Sequence, residues 1–516
     1  MDNGTKKTWF LALVVSLGGF LYGFDAAIIS GVMNYVTPEF NLNTAQQGWV
    51  PSSPLFAAMF AMLISGRISD VIGRKKMLLI VAFLYAISAL LSAYAIGYHM
   101  LWIARMIGGV AFGAALVIAP VYIAEVSTAS SRGKLVSIQQ LNIVLGFFAA
   151  FLSNYYFNEA YSSGESSFLT VENVWRWMLG VELIPAISYF VLLFFVPRSP
   201  RWLFVTERDD EARKVLISLH GNQKANYEAK SILDSLEVAR KSRDKVKIRD
   251  LFKKSLKYVL IVGIVIGIVQ QVTGINAVYY YATSIFQQTG IGTNAAFLSG
   301  ILLSFTTVAF TLIAFFLIDK LGRRPLFLIG LAGIAISMLL CGYGFSKATY
   351  QLTTEKVALL DESMQEQLIY QVDKVYENDI LFKNEMKRVL GEKSYAKNEA
   401  VILELATNMN PILVLIGILG FVACFAFSLG PVMWVMLSEL FPNRYRGLLI
   451  GFIGFLNGFS SWLVTQIFPW ELTNLGNAKT FYVFGTIALI GFVILLKILP
   501  ETKGKTLEEL EAELIK

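Results

Sequence analysis

Twelve apolar runs dominate the chain, near residues 8–34, 46–66, 76–98, 101–124, 135–157, 177–196, 257–286, 296–318, 325–345, 411–437, 447–469 and 480–499. A helix rising 1.5 Å per residue needs about 20 residues to cross a hydrocarbon core ~30 Å thick, and each run reaches that length. Inside a bilayer every backbone N–H and C=O must be satisfied within the protein, which leaves helices or closed barrels. Uninterrupted runs of this kind select helices. Charged residues make up 16% of the 516, with a mean hydropathy of +0.59, whereas a soluble chain carries about 25%. The chain reads as a polytopic, all-α membrane protein. Lys6 and Lys7 before the first run mimic a signal peptide, but that run is too long and lacks a small-residue cleavage site, so it reads as the first span.

Orientation follows from the short loops. “GRISDVIGRKK” (66–76), “SSRGK” (130–134), “DKLGRRP” (319–325) and “NRYRG” (443–447) are basic and fall on one side. The opposite loops, at 37–48, 97–100 and 287–296, contain no Lys or Arg. By the positive-inside rule the basic loops and both termini are cytoplasmic, which places the chain in the cell (plasma) membrane as a multi-pass protein.

The chain divides into a first six-span bundle (1–203), a polar cytoplasmic bridge (204–254) and a second six-span bundle (255–516). The halves echo each other: Gly73 of the first basic loop answers Gly322, and Glu125 of “AEVSTASSRG” answers Glu439 of “SELFPNRYRG”. The two offsets, 249 and 314 residues, differ by 65, which matches a polar insertion near 346–408 on the external side. Its mixture of Glu and Lys reads as a soluble helical patch. Repeated halves with a site at their interface mark secondary transporters. “KGKT” (503–506) lacks the glycine a phosphate-binding loop needs, so no energy-coupling ATPase is indicated and accumulation would use an ion gradient. Cys341 and Cys424 lie in apolar runs and supply neither a disulfide framework nor a metal site.

Asp25 is the only charged side chain between Lys7 and Glu39. An intramembrane carboxylate costs at least about 2.5–3.5 kcal/mol on insertion scales. At 1.5 Å per residue it sits roughly 6 Å below the outer edge of the core, and Arg105 and Glu182 reach about 9 and 8 Å on inward-running spans. Two acids and one base give a site of net charge −1. If Asp25 pairs with Arg105, Glu182 lowers its cost by taking up a proton, or the two acids share one. That is the physical minimum for proton coupling. The plainer alternative is a static salt bridge with Glu182 on a wet wall.

Gln270, Gln271, Asn276 and Tyr280 occupy the seventh span, where Thr273 and Gly274 loosen the helix between them. Gln140 and Asn457 add further amides. Trp434 follows Pro431, which breaks the tenth span and exposes a ring face. Amides donate and accept together, as hydroxyl groups do, so the set suits a neutral polyol or sugar. The alternative is that these amides only join helices. “GGVAFG” (108–113) and “GFIGFLNG” (451–458) read as close-packing stripes rather than nucleotide sites.

“GRISDVIGRKK”, “PVYIAEVSTASSRGK”, “PRSPRWL”, “QQVTGINAVYYY”, “DKLGRRP”, “GPVMWVMLSELFPNRYRG” and “PETKGKTLEELE” run in order over nearly the whole chain. With them the chain resembles the sugar porter family of the major facilitator superfamily, which includes bacterial proton–sugar symporters and mammalian facilitative glucose transporters. The resemblance implies two six-helix bundles around a central cavity that opens alternately to either side. It implies sugar contacts at Gln140, Gln270, Gln271, Asn276, Tyr280, Trp434 and Asn457, with Tyr22 lining the cavity. It implies coupling roles for Asp25, Arg105 and Glu182, where the chain is similar to the family's bacterial proton–xylose symporters. Facilitative members typically carry an amide in place of the first and an apolar residue in place of the last. Asp70, Arg74, Glu125, Arg132, Asp319, Arg323, Glu439 and Arg446 match the inner-face charge network that latches the outward-open state, and as loop charges they also serve as topology signals.

The chain departs from the family at Thr307, often asparagine, at Gly458, often tryptophan, and at Arg198, usually glutamate. The first two shrink contacts to the sugar, and the third removes a partner from the inner network. The expected function is import of a monosaccharide, hexose or pentose, with a proton. A facilitative uniporter is the alternative, and a non-transporting sugar sensor a third. A membrane enzyme is not expected, since His99 and His220 have no paired nucleophile. No cofactor, metal or nucleic acid is expected, the partners being sugar, proton and lipid bilayer. A monomer suffices, because one chain holds both halves of the pore.

Overall fold

The computed structural model describes residues 3–128, 131–164, 166–241, 253–442, 444–505 and 507–514. Twelve of its helices are long and apolar enough to span a membrane. Spans one to six are Lys6–Glu39, Thr44–Ile72, Arg74–Ala93, Tyr98–Val126, Arg132–Ser162 and Val174–Phe194. Spans seven to twelve are Lys254–Tyr280, Thr293–Ile318, Arg323–Ser346, Pro411–Leu440, Arg446–Asn474 and Asn477–Ile498. They form two six-helix halves. Span one packs on five and two on four, while nine packs on ten and twelve. Spans two and five meet eleven and eight across the boundary.

Several helices overrun their apolar runs, because caps rather than hydropathy end them. Span two, expected over 46–66, opens at Asn43, whose side chain accepts from the Gln46 N–H while the Gln46 side chain accepts from the Asn43 N–H. It closes at Gly73, where φ is +91° and a Cβ would be strained. Arg67 and Asp70 therefore stand on the helix beyond the apolar stretch.

Small residues set how closely the helices approach. A Cβ on Gly23 would lie 2.0 Å from the Ile143 carbonyl oxygen, and one on Gly146 would lie 2.1 Å from that of Phe20. Spans one and five thus touch backbone to backbone and move as one. Gly109 and Gly113 press span four onto Pro54 and Ala58 in the same way.

Three spans are broken. Pro431 clashes with a helical carbonyl four residues back, and the first part of span ten ends at that residue, Phe427; Leu429–Leu440 follows Ser428, at φ −128° and ψ −92°. Span seven stops at Val272, and Gly274, at φ +93°, starts Ile275–Tyr280. Span six is interrupted at Val181 and Glu182, a break the composition did not announce. Pro185 cannot donate to Val181, whose carbonyl accepts from the Ile184 N–H at 3.1 Å instead.

The bridge holds the helices Pro200–Val205 and Asp209–Lys241, the second kinked at Gly221. Its remainder at 242–252 lies outside the described residues. The insertion at 346–408 is not purely helical. Alongside Asp379–Leu390 and Glu392–Ala406 it has an antiparallel sheet in the order β2-β1-β3, from β1 (Thr349–Gln351), β2 (Val375–Tyr376) and β3 (Thr407–Asn408). It encloses its own core, including Tyr350 stacked on Phe382 at 5.3 Å. Asp379 anchors it: its Oδ2 accepts from the Asn477 N–H at 2.9 Å, at the start of span twelve.

Candidate functional site

Asp25, Arg105 and Glu182 are 2%, 1% and 2% exposed, so water does not compensate their charges. Asp25 projects from span one toward span four, where the Arg105 Nη1 lies 2.5 Å from its Oδ1. The Arg105 Nη2 also donates to the Asp25 backbone oxygen at 3.1 Å. The guanidinium fork therefore fixes both the carboxylate and the chain that carries it. Gly108, on the same span, admits Ser88 of span three, since a Cβ there would lie 2.6 Å from the Ser88 Oγ. Glu182 sits at the interruption of span six. Its Oε1 and the Arg105 Nε are buried without a hydrogen-bond partner among the described residues. Two complementary orphan atoms in one buried cluster mark an incompletely satisfied network.

The second cluster is built around the breaks in spans seven and ten. The Gln270 Nε2 donates to the Leu429 carbonyl at 2.9 Å, just beyond the span-ten break. The Asn457 Nδ2 donates to the Gln270 Oε1 and the Gly267 oxygen, both at 2.8 Å. The Gln271 Nε2 donates to the Asn457 Oδ1 at 3.2 Å, and the Asn276 Nδ2 donates to the Gln271 Oε1 at 3.1 Å and the Ser461 Oγ at 2.5 Å. Four of the expected residues thus form one continuous amide chain. Gln140, Tyr22, Tyr280 and Trp434 make no hydrogen bond to it. Gln140 is half-buried with no hydrogen bond among the described residues, Tyr280 is buried, and Trp434 is 45% exposed. Ser461 was not foreseen, although it lies one helical turn after Asn457 and shares its face.

The departures also find their places. The Thr307 hydroxyl donates to the Leu303 carbonyl at 3.0 Å and pairs with the Tyr279 hydroxyl at 2.6 Å. Gly458 faces span two: a Cβ there would lie 3.2 Å from the Met59 Cβ. It is a contact between the halves.

On the basic-loop face the halves carry matching charge clusters. Arg74 pairs with Asp70 at 2.7 Å and Glu125 at 3.1 Å, and donates to the Ser69 carbonyl five residues back. Arg323 pairs with Glu439 at 3.0 Å and donates to the Ile318 carbonyl, again five residues back. Ser199 donates to Glu125 and Thr502 to Glu439, two partners the sequence reading lacked. The match fails at the helix cap. Glu501 accepts from the Arg323 and Arg324 N–H groups at 3.1 and 3.2 Å, capping span nine. The corresponding Arg198 turns to Glu211 of the bridge at 3.3 Å. Arg132 is exposed with no ion pair among the described residues, the Arg446 Nε donates to the Phe441 carbonyl at 3.1 Å, and the Asp319 side chain lies outside the described residues.

The Arg74 and Arg323 ion pairs each join residues of one half. On the opposite face, neutral hydrogen bonds cross between the halves: Ser30 to Thr283 at 2.8 Å, Asn34 to Ser284 at 3.2 Å, Ser52 to Gln466 at 2.8 Å and Asn158 to Asn294 at 2.6 Å. The ends on this face are thus closed upon each other.

The family described as “Sugar (and other) transporter” matches residues 11–364 and 395–514. The gap falls inside the insertion. The arabinose-proton symporter of Bacillus subtilis (strain 168) is 33% identical, over 98% of this chain and 95% of that protein. The D-xylose-proton symporter of Escherichia coli (strain K12) is 31% identical, over 97% and 94%. The inward-open conformation of the E. coli xylose transporter XylE superposes with a TM-score of 0.75 at 28% identity, over 98% of this chain and 100% of that one.

Proposed function

The chain belongs to the sugar transporter family, and from that premise we propose that it imports a monosaccharide together with a proton by alternating access. The observation that carries this reading is the Asp25–Arg105 pair beside a Glu182 oxygen without a partner. With all three side chains ionised the site is −1, and one bound proton makes it neutral. A neutral and an anionic site favour different arrangements of spans one, four and six. The gradient supplies about 2.3 kcal/mol per charge per 100 mV.

Sugar hydroxyls bind between Gln140 on the first half and the Gln270, Gln271, Asn276 and Asn457 chain on the second. The Asn276 Oδ1, which has no partner among the described residues, accepts from the ligand. Tyr22, Tyr280 and Trp434 supply ring faces. In the outward-open state the seam from Ser30 to Asn294 parts, and Asp70, Arg74, Glu125, Arg132, Asp319, Arg323, Glu439 and Arg446 draw the basic-loop faces together. Basic loops and termini face the cytoplasm, a single chain suffices, and the work is translocation rather than catalysis.

The test is reconstitution of the wild type and Asp25→Asn in liposomes with labelled xylose and glucose, under an inward proton gradient and in gradient-free counterflow. The wild type accumulates sugar, and the variant loses accumulation while keeping counterflow. A wild type that only equilibrates sugar at every gradient would mean a uniporter with a structural triad.

A further inference from the structure

The two clusters lie in different halves, and a coupled transporter needs physical contact between them. A run of aromatic rings provides it. Tyr279, at the end of the broken span seven, lies three residues beyond Asn276, about one helical turn. Its hydroxyl is held by Thr307 at 2.6 Å. Its ring packs at 4.6 Å against Phe147, which stands on span five of the first half. Phe147 in turn meets Tyr22 at 6.5 Å, and Tyr22 meets Phe112 at 4.7 Å. Tyr22 is three residues before Asp25, and Phe112 is seven residues, about two turns, after Arg105.

We infer that Phe147 is the positioning residue through which sugar occupancy of the second half is felt by the Asp25–Arg105 pair. This rests on the transport reading above. The physical case is one of stiffness. Tyr279 is tethered at its hydroxyl, so when a ligand draws Asn276 and the Ile275–Tyr280 helix, the ring moves with the helix instead of swinging free. Phe147 and Tyr279 are 6% and 4% exposed, leaving Phe147 little space to yield. Gly23 and Gly146 hold spans one and five together at backbone contact, so a push on Phe147 displaces the stretch that carries Asp25. An aliphatic side chain of similar volume would fill the space but lack the face that meets the tethered ring.

The test is a double-mutant cycle on sugar binding. Dissociation constants for labelled xylose and glucose are measured for the wild type and Asp25→Asn, each with and without Phe147→Leu. In the wild-type background Asp25→Asn changes the constant by about 5-fold or more, the usual range of coupling between sites. With Phe147→Leu that change falls below about 2-fold, the margin within which independent sites add. Tyr279→Phe, which keeps the ring but removes its tether to Thr307, reduces the effect as well. Leucine conserves volume, and thermal unfolding of each variant checks the fold. An Asp25→Asn effect of the same size with and without Phe147 overturns the inference, as does no effect in the wild-type background. The transport reading stands or falls separately, on whether the wild type concentrates sugar under a proton gradient.

Discussion

Arg105 holds Asp25 at two points, the side-chain Oδ1 at 2.5 Å and the backbone oxygen at 3.1 Å. A lysine delivers a single point charge and cannot span both. Arg105→Lys is expected to keep the fold and lose most proton-driven accumulation. Arg105→Ala leaves Asp25 and Glu182 buried without a cation, at a cost of about 3–5 kcal/mol. Thermal unfolding in detergent separates the two, and an alanine variant as stable as the wild type would mean that the buried acids need no partner.

Asn457 joins span eleven to span seven through the Gln270 and Gln271 side chains. Asn457→Ala leaves buried amides unpaired, at about 1–3 kcal/mol, so the half-saturating sugar concentration should rise by about 5- to 150-fold. Uptake kinetics in proteoliposomes check this, with the accumulation ratio at saturating sugar expected to change little.

Ser30 and Thr283 close the seam opposite the basic loops with a buried hydrogen bond of 2.8 Å. It joins spans that must separate when the external side opens. Ser30→Ala also removes the bond that the Thr283 N–H donates to the Ser30 Oγ at 3.0 Å, so it should favour the outward-facing state about 30-fold, the worth of two neutral hydrogen bonds of about 1 kcal/mol each. Accessibility of a cysteine introduced in the external pathway measures it, and unchanged labelling would show that these bonds do not hold the seam.

Arg198→Glu would give the first half the helix cap that Glu501 gives the second. A carboxylate at the start of span three should add about 0.3–1 kcal/mol. The contact with Glu211 that is lost lies at the surface, 37% and 36% exposed, and contributes little. A rise in the thermal midpoint is expected, and Glu501→Arg should lower it.

Asp379 fixes the insertion to span twelve through a buried carboxylate. Asp379→Ala removes a helix cap worth about 0.5–2 kcal/mol. The external segment should be cleaved faster by added protease while sugar counterflow continues. Equal cleavage rates would place the anchor elsewhere.

The spans were legible because twenty apolar residues admit few structures in lipid. The 65-residue offset between the halves returns in the ion pairs: Arg74 and Glu125 are 51 residues apart, Arg323 and Glu439 are 116. Pro431 announced the span-ten break through its clash with Phe427. Pro185 carried the same signal for the break at Glu182, but one proline in a short apolar run did not stand out. The sheet of the insertion escaped because strands of two or three residues leave no period to read. Phe147 was invisible for another reason: one aromatic residue in an apolar run looks like any other, and only the facing helix shows what it touches.

The seam that closes one face is made of Ser, Thr, Asn and Gln, whereas the ion pairs of the basic-loop face join Arg to Asp and Glu within each half. Ionic strength therefore acts on the two ends of the pathway unequally. Dissolved ions screen attraction between charges over about 8–10 Å at 0.1–0.15 M and leave neutral hydrogen bonds nearly untouched. Salt therefore weakens the ion pairs inside each basic-loop cluster while the neutral bonds that join the halves at the opposite face keep their strength.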